Sequence, residues 1–397
     1  MAVRRGLAAL SLMGILWSAG ACGDPPLASD PIMAPLTLVS AGVLHTCAVS
    51  VPGVAYCWGW NRDGEVGDGS RTDRPLPVRV SGSLVFSSLT TGGGHTCGVA
   101  AGGAAHCWGL NLSGQLGDGT AADRVTPAPV ADGRSFATLD AGGAYTCGVT
   151  ADSTAFCWGW NLSGQLGDGT DEDRDAPAAV AGGRKLVAVA AGVRHTCAVG
   201  ADSTIYCWGA NDRGQLGNGL GADTTRPVAV AGGLKYAAVT AGFDHTCALT
   251  VAGEAYCWGD NALGQLGDTA VAGADTPHRV ETAVLFTALA AGGTHTCAVA
   301  QSGSAYCWGN GSAGQLGTRM LDDCSTELAL IPCSRLPVAV DGGLSFQAVT
   351  GGNHHTCGLT TNDLAFCWGL NDHGQLGDGT RTTRVTPVRV ATQEGVP

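Results

Sequence analysis

The residues of this chain with the greatest chemical potential are its cysteines, which recur in pairs ten residues apart. The second cysteine of each pair opens a Cys-Trp-Gly triplet, and successive pairs lie 50 residues apart until a last interval of 60. Cysteines in such numbers either form disulfides or hold metal ions. The pairs are Cys47 with Cys57, Cys97 with Cys107, Cys147 with Cys157, Cys197 with Cys207, Cys247 with Cys257, Cys297 with Cys307, and Cys357 with Cys367.

Metal binding is the weaker interpretation of these residues. Zinc sites favour ligand pairs a few residues apart, and the chain has no Cys-x-x-Cys. An acidic run from Asp168 to Asp175 lacks the Gly and Glu of a calcium loop. A column of histidines is interrupted by Tyr145, so we interpret it as hydrogen-bonded and structural. We therefore predict disulfides, no metal and no cofactor. The column comprises His45, His95, His195, His245, His295 and His355.

The elements that must position these cysteines are short strands. Ala101-Gly102-Gly103 separates a strand at His95–Ala100 from one at Ala104–Trp108, which is typical of a three-residue hairpin loop. Pairing Ala100 with Ala104 places Cys97 directly opposite Cys107, at a non-hydrogen-bonded site where side chains come closest. The register alone therefore predicts one disulfide within each repeat.

Two further strands complete the unit, an apolar one at Leu84–Leu89 and one at Pro127–Val130. Four antiparallel strands in each of seven units predict an all-β, seven-bladed β-propeller. The first strand, Leu36–Ser40, and the last, Val385–Val390, either share a blade or lie in adjacent blades. The predicted repeats are about 36–83, 84–133, 134–183, 184–233, 234–283, 284–343 and 344–391, with a tail at 392–397.

The N-terminus is typical of an export signal. Arg4 and Arg5 precede an apolar run too short to span a membrane, and small residues precede Cys22. Residues 1–21 resemble a signal peptide that ends in a bacterial lipobox, although Ala19 stands where Leu is usual. Of 17 cysteines, Cys22 alone has no partner once Cys324 is paired with Cys333. We expect a lipid on Cys22, a Pro-rich tether at 22–35, and a monomer anchored in the bacterial cell envelope, or otherwise secreted.

One stretch carries a resemblance to a known family. Residues 192–199 (GVRHTCAV), 206–219 (YCWGANDRGQLGNG) and 226–230 (RPVAV) resemble the repeat of the regulator of chromosome condensation family. That resemblance implies a seven-bladed propeller. Nuclear members exchange guanine nucleotide on a small GTPase, whereas exported bacterial members include an inhibitor that holds a β-lactamase on one propeller face. The paired cysteines and the signal peptide favour an exported, disulfide-stapled branch.

Positions that vary between repeats are the candidates for binding a partner, since constant positions build the blades. One set of variable positions directly follows the recurring Trp-Gly dipeptide, and another directly precedes the recurring His-Thr dipeptide. If both open on one face, aromatic side chains and an arginine form a patch of the kind that anchors interfaces. The alternative is that the tryptophans only cover a neighbouring blade. The candidates are Trp60, Leu110, Trp160, Arg194, Phe243, Asp244, Asp260 and His354, with Leu328, Leu330 and Ile331 in a ten-residue insertion closed by Cys324 and Cys333.

Composition narrows the function. A net charge of -12 and 14% charged residues exclude a polycationic surface for nucleic acid or anionic lipid, so we expect membrane contact only through Cys22. The chain carries no nucleophile, metalloprotease or phosphate-loop motif. We therefore predict a protein-binding or inhibitory module and no enzyme; a glycan-binding envelope protein is the alternative, and exchange-factor activity is disfavoured by export.

Overall fold

The computed structural model describes residues 35–324 and 331–391, which form a ring of seven β-sheets. Each sheet has four antiparallel strands, in order, from one repeat, so the predicted propeller is confirmed; the sixth sheet adds a fifth, two-residue strand, Asp322–Asp323, at its outer edge. The predicted signal peptide, Cys22, most of the predicted tether, Leu328, Leu330 and the predicted tail lie outside the described residues. In the described ranges, no helix has the length and apolar character needed to cross a bilayer.

Strand position within a blade determines distance from the propeller axis. The first strands, which line the channel, are Leu36–Ala41, Phe86–Thr91, Phe136–Ala141, Leu186–Ala191, Tyr236–Ala241, Phe286–Ala291 and Phe346–Gly351. The second strands are His45–Ser50, His95–Ala100, Tyr145–Thr150, His195–Gly200, His245–Thr250, His295–Ala300 and His355–Thr360. The third strands are Val54–Gly59, Ala105–Gly109, Ala155–Gly159, Ile205–Gly209, Ala255–Asp260, Ala305–Asn310 and Ala365–Gly369. The outermost strands are Arg74–Arg79, Arg124–Pro129, Arg174–Ala179, Thr224–Ala229, Gly273–Arg279, Pro332–Ala339 and Arg384–Arg389.

The hairpin register is the one the sequence predicts. Ala100 N–H donates to Ala104 O over 2.8 Å, and Cys97 lies opposite Cys107. The three-residue loop is a 3-10 turn, Ala101–Gly103, in which Gly102 has a φ of 80°. A second such turn spans Ala131–Gly133.

The predicted disulfides are all present, one within each blade and one in the insertion of the sixth blade, where Cys324 is bonded to Cys333. In the intrablade pairs the two Cα atoms are 4.1 Å apart, as expected for residues directly opposite each other on adjacent strands. The same register therefore holds in every blade. The intrablade bridges join Cys47 to Cys57, Cys97 to Cys107, Cys147 to Cys157, Cys197 to Cys207, Cys247 to Cys257, Cys297 to Cys307, and Cys357 to Cys367.

Two strands of the second blade begin more than one residue from their predicted starts. The first strand of the second blade begins at Phe86, two residues later than expected. The outer strand begins at Arg124 instead of Pro127, because it carries a bulge: Arg124 pairs with Gly109 and Ala128 with Cys107, so residues 125–127 oppose the single residue between those two partners. Apolar patterning does not reveal such extra residues.

The core lies between blades. The indole of each Cys-Trp-Gly triplet packs against the disulfide of the preceding blade; Trp158, for example, shares a cluster with Cys97, Cys107 and Leu116. Its Nε1–H donates to the carbonyl of Gln115 in that preceding blade, at 3.0 Å. The seven indoles are fully buried, and each one covers the intrablade disulfide of the preceding blade.

The histidine column joins the blades through hydrogen bonds between each imidazole and a threonine of the next blade. Thr146 donates its hydroxyl proton to Gln115 O at 2.9 Å, so it can only accept from His95 Nε2, 2.8 Å away. This hydrogen bond requires a proton on Nε2, and burial lowers the pKa of His95 to about 4, so the ring is neutral near pH 7. A glycine three residues earlier makes room for the ring: at Gly192 a Cβ would lie 2.6 Å from Gly242 O and 2.8 Å from His195 Cε1. In the third blade, Tyr145 stands in place of the histidine, and its hydroxyl lies 2.9 Å from Thr196 Oγ1 in the next blade.

Ring closure, which the sequence left open, uses the contacts that join every other pair of blades. Thr46 and Trp58 of the first blade both donate to Gln375 O of the last, at 2.8 and 2.9 Å. His355 Nε2 lies 2.9 Å from Thr46 Oγ1. The first and last strands therefore belong to adjacent blades and do not share a sheet.

Candidate binding surface

Two sets of loops open on one face of the propeller, here called the long-loop face. They are the inner loops between first and second strands, such as 42–44, and the outer loops between third and fourth strands, such as 60–73. The sets adjoin in every blade: Trp60 N–H donates to Leu44 O at 3.0 Å, and Trp160 N–H to Ala144 O at 2.9 Å. The variable positions thus share one face, which is the condition on which the predicted patch depends.

A buried asparagine makes each outer loop rigid in six blades. Asn111 Oδ1 accepts Leu116 N–H at 2.9 Å, while its Nδ2 donates to Thr120 O and Ala122 O at 2.9 and 3.1 Å. The Gly-Asp-Gly-Thr run is a turn, as predicted, in which Asp118 accepts from Thr120 N–H at 3.0 Å. The residues on either side of the asparagine are therefore held in fixed positions, which lowers the entropic cost of presenting them to a partner.

The sixth blade departs from this pattern. Gly311 replaces the asparagine, and a Cβ there would lie 2.7 Å from Leu321 Cδ1, so the leucine occupies the space. Strand Asp322–Asp323 pairs with the start of the outer strand, and Cys324 N–H donates to the carbonyl of half-buried Ile331 at 3.0 Å. The described part of the insertion is thus a stapled extension on the long-loop face.

The predicted tryptophans differ in their surroundings, although both are half-buried. Trp60 meets the edge of His373 from the seventh blade at 4.4 Å between ring centroids, and Arg62 lies 4.7 Å over its ring. Trp60 therefore covers a neighbouring blade, as the alternative interpretation expects. Leu110 is also half-buried and lies against Gly94, where a Cβ would be 3.2 Å from Leu110 Cδ2.

The predicted charged candidates are already paired within the protein. Arg194 Nη2 lies 3.0 Å from Asp212 and 3.2 Å from Asp244, which bridges the fourth and fifth blades. Asp260 accepts from Gln265 Nε2 at 2.6 Å. These side chains hold loops in place, so Arg194 is less available to an incoming anion than the sequence suggested. His354 is half-buried, and burial lowers its pKa.

Phe243 lies at the mouth of the central channel, away from the two tryptophans. There it lines a cavity of about 70 Å³ together with glycines and alanines of the inner loops. Small-molecule pockets are usually about 300 Å³ or larger, so this one suits a few water molecules. Within the described ranges, no three His, Cys, Asp or Glu residues converge as metal ligands. In the acidic run, Asp168 is paired with Arg174 at 2.8 Å.

Sequence reasoning missed the two most accessible apolar side chains of the second and third blades. Leu112 and Leu162 directly follow the loop asparagines and are 75% and 71% exposed. They were concealed inside the recurring Asn-Leu-Ser-Gly string, which resembles a blade-building motif. The signal that reveals them is that other blades carry Arg62, Asp212 or Asp372 at the same position.

Glu65 is a second missed residue, a buried carboxyl where the other blades have glutamine. Its Oε2 accepts Asp63 N–H at 2.9 Å, as Gln115 Oε1 accepts Ser113 N–H at 3.0 Å. Burial, with like charge from Asp63 and Asp73, raises the pKa of Glu65 to about 7. In an unfolded chain the group ionises near 4.3, so ionisation destabilises the fold increasingly between those two values.

Replacing Glu65 by Gln is expected to stabilise the protein at alkaline pH. The gain should be about 3 kcal/mol near pH 8 and about half of that near pH 5.5, because it grows over the range in which the unfolded carboxyl is ionised and Glu65 is still protonated. Urea unfolding at the two pH values measures it. Glu172→Gln, at an exposed carboxylate, is the control and should show no such pH-dependent gain; an equal gain at both pH values would contradict the assignment.

Comparison with known proteins agrees with the geometry. The RCC1-like domain profile matches residues 176–397, more than half of the chain, and the regulator of chromosome condensation (RCC1) repeat matches residues 52–99 and 152–199. The ultraviolet-B receptor UVR8 of Arabidopsis thaliana is 50% identical over 46 residues, 12% of this chain and 10% of the receptor. The match therefore spans a tenth of that relative's length.

Solved structures share the fold at low identity. Yeast RCC1 (Prp20) bound to Kap60 superposes with a TM-score of 0.76 at 19% identity, covering 98% of this chain and 91% of that chain. Prp20p of Saccharomyces cerevisiae has a TM-score of 0.76 at 22% identity, covering 91% and 87%. Together with the profile match, these results show that the chain belongs to the RCC1-like domain family.

Proposed function

We propose that this protein is a non-enzymatic binding or inhibitory module that acts outside the cytoplasm and holds a protein partner on its long-loop face. The observation that carries the proposal is the exposure of Leu112 and Leu162 on rigid loops, where they make no contribution to the buried core. Exposed apolar residues grouped on one face favour an interaction surface. Prp20p, which shares the fold, is a protein that binds Gsp1p and histones.

The proposed lipid anchor suits this orientation. Pro35 O accepts from Val51 N–H at 3.0 Å, so the described chain begins on the face opposite the long loops. The 13 peptide links from Cys22 to Pro35 span at most about 45 Å. A lipid on Cys22 would therefore hold the opposite face towards the membrane and leave the long-loop face directed away from it.

Affinity capture tests the proposal, with the full chain exported from an oxidising host and mass spectrometry as the readout. The Trp160→Ala/Leu162→Ser variant should lose a partner that the wild type retains. Leu220→Ser is the matched control, because Leu220 is 64% exposed on the fourth blade of the same face. Unchanged melting curves would show that both variants fold. Capture that is empty, or equal for all three proteins, would count against a binding role for this face.

A further inference from the structure

The second and third blades carry an apolar strip that the other blades lack. It consists of Leu110, Leu112, Trp160 and Leu162, at the two positions that flank the loop asparagine in adjacent repeats. These two adjacent blades are the ones in which both flanking positions are apolar, so their four side chains occupy equivalent places on one face. The equivalent pairs elsewhere are Trp60 with Arg62, Ala210 with Asp212, Asp260 with Ala262, Asn310 with Ser312, and Leu370 with Asp372.

The inner loops beside the strip carry almost no side chains. They are Gly93-Gly94 in the second blade and Gly143-Ala144 in the third, whereas the fourth and fifth blades place Arg194 and Phe243 there. Leu110 lies down against Gly94. An incoming chain can therefore approach the strip from the channel side without displacing a bulky residue.

One edge of the strip is acidic. In the outer loop of the third blade, Asp171, Glu172, Asp173 and Asp175 are exposed, and Arg174 among them is paired with Asp168. Arg124 of the second blade is likewise paired with Asp118, at 2.7 Å. In the described part of the chain, Asp171 and Asp175 have no cationic partner within 4 Å, so this edge presents uncompensated negative charge.

We propose that the strip binds a protein segment whose apolar side chains are flanked by lysine or arginine. This inference rests on the proposed function and specifies the partner's chemistry. Leu and Trp provide the apolar contact, and the carboxylates attract basic residues at its edge and repel acidic ones. A second copy of this chain is a poor occupant, because it would bring the same carboxylates and a net charge of -12 to the contact.

Selection from a displayed library of random peptides of about 15 residues, with the full chain as target, tests this chemistry. Enriched peptides should combine Leu, Phe or Trp with at least two basic residues. Their binding should weaken about tenfold on Leu112→Ser/Leu162→Ser and about fivefold on Asp171→Asn/Glu172→Gln/Asp175→Asn. It should also weaken between about 0.05 and 0.5 M salt. Leu220→Ser and Asp132→Asn, which lie outside the strip, should leave affinity unchanged.

Each other outcome overturns part or all of the inference. Peptides with no basic bias, or with equal affinity for the charge-neutralised variant, refute the proposed chemistry even if affinity capture still finds a partner that needs Trp160. Peptides that bind Leu112→Ser/Leu162→Ser as tightly as wild type refute the location. A library from which no strip-dependent peptide is enriched refutes both, and the function itself then depends on the capture result alone.

Discussion

Lowering the pH from about 6.5 to 4.5 is expected to unfold the propeller, because six buried histidines are neutral in the folded state. Burial is the main cause, and it lowers the pKa of His45, His195, His295 and His355 to about 3, and that of His95 and His245 to about 4. Each Nε2–H donates to a threonine in the next blade, and Nδ1 of five of these rings has no partner. Burial therefore disfavours the imidazolium at all six positions, and the charge of Asp212, which favours it at His195, is a smaller effect than burial there.

The direction and size of the effect follow from proton linkage. Histidines in the unfolded chain titrate near 6.5, so between about pH 6.5 and 4 that state binds up to six protons that the folded state does not. Each such proton changes the free energy of unfolding by about 1.4 kcal/mol per pH unit. Two carboxyls act in the opposite direction, because burial raises the pKa of Glu65 to about 7 and of Asp140 to about 6.

Because the six histidines outnumber these two carboxyls, the free energy of unfolding decreases as the pH is lowered. A net difference of about four protons corresponds to a loss of about 5 kcal/mol per pH unit between about pH 6 and 4.5. Domains have total stabilities of about 5–15 kcal/mol, so two pH units remove most or all of it. Below that range the aspartates paired with arginine, such as Asp118, add a further loss as they protonate, because hydrogen bonds and Arg124 outweigh burial and lower the pKa of that carboxyl.

Urea unfolding at several pH values between about 7.5 and 5 measures this slope. In His245→Gln the amide nitrogen can donate to Thr296 in place of Nε2 without titrating. The slope should then fall by about 1.4 kcal/mol per pH unit. The control is His278→Gln, at a half-exposed histidine 3.4 Å from Asp268. Stability that is constant over this range, or a slope equal in His245→Gln and wild type, would disprove the assigned role.

Local sequence patterns predicted the fold well because each repeat is folded by short-range rules. A three-residue hairpin loop determines the register that opposes Cys97 to Cys107, and that register holds in every blade. The outer strand was placed three residues late, because its first residues lie beyond a bulge in that strand, at 125–127. Ring closure depends on Thr46 meeting Gln375, 329 positions away, and no local pattern carries that information.

The candidate surface was harder to predict, because exposure and pairing are properties of three-dimensional neighbours. The variable positions do lie on one face. Sequence could not show that Arg194 is held between carboxylates 18 and 50 positions away, or that Trp60 packs on His373 across the ring closure. It also passed over Leu112 and Leu162, although their Asn-Leu-Ser-Gly string occurs in only two of the seven repeats, too few for a blade-building role.

The seven intrablade disulfides are expected to be indispensable for stability and yet resistant to reductant. Each closes a loop of about 11 residues, which the chain-entropy model values at about 3 kcal/mol, or up to roughly 20 kcal/mol for seven if additive. That sum exceeds the stability of a typical domain, so the reduced chain should not remain folded. The paired cysteines are fully buried under the next blade's tryptophan, however, so reductant reaches them only after a blade opens.

Timed thiol labelling tests both parts. Folded protein in reductant should show little labelling, protein in reductant plus urea should lose all bridges, and removal of urea while reductant remains should not restore the fold. Fast reduction without loss of structure would contradict the argument.

The number of free thiols in unreduced, denatured protein tests the predicted lipid on Cys22, because eight disulfides account for all cysteines but Cys22. No free thiol is expected if Cys22 is acylated, whereas one thiol that disappears in Cys22→Ser would exclude the proposed lipid anchor.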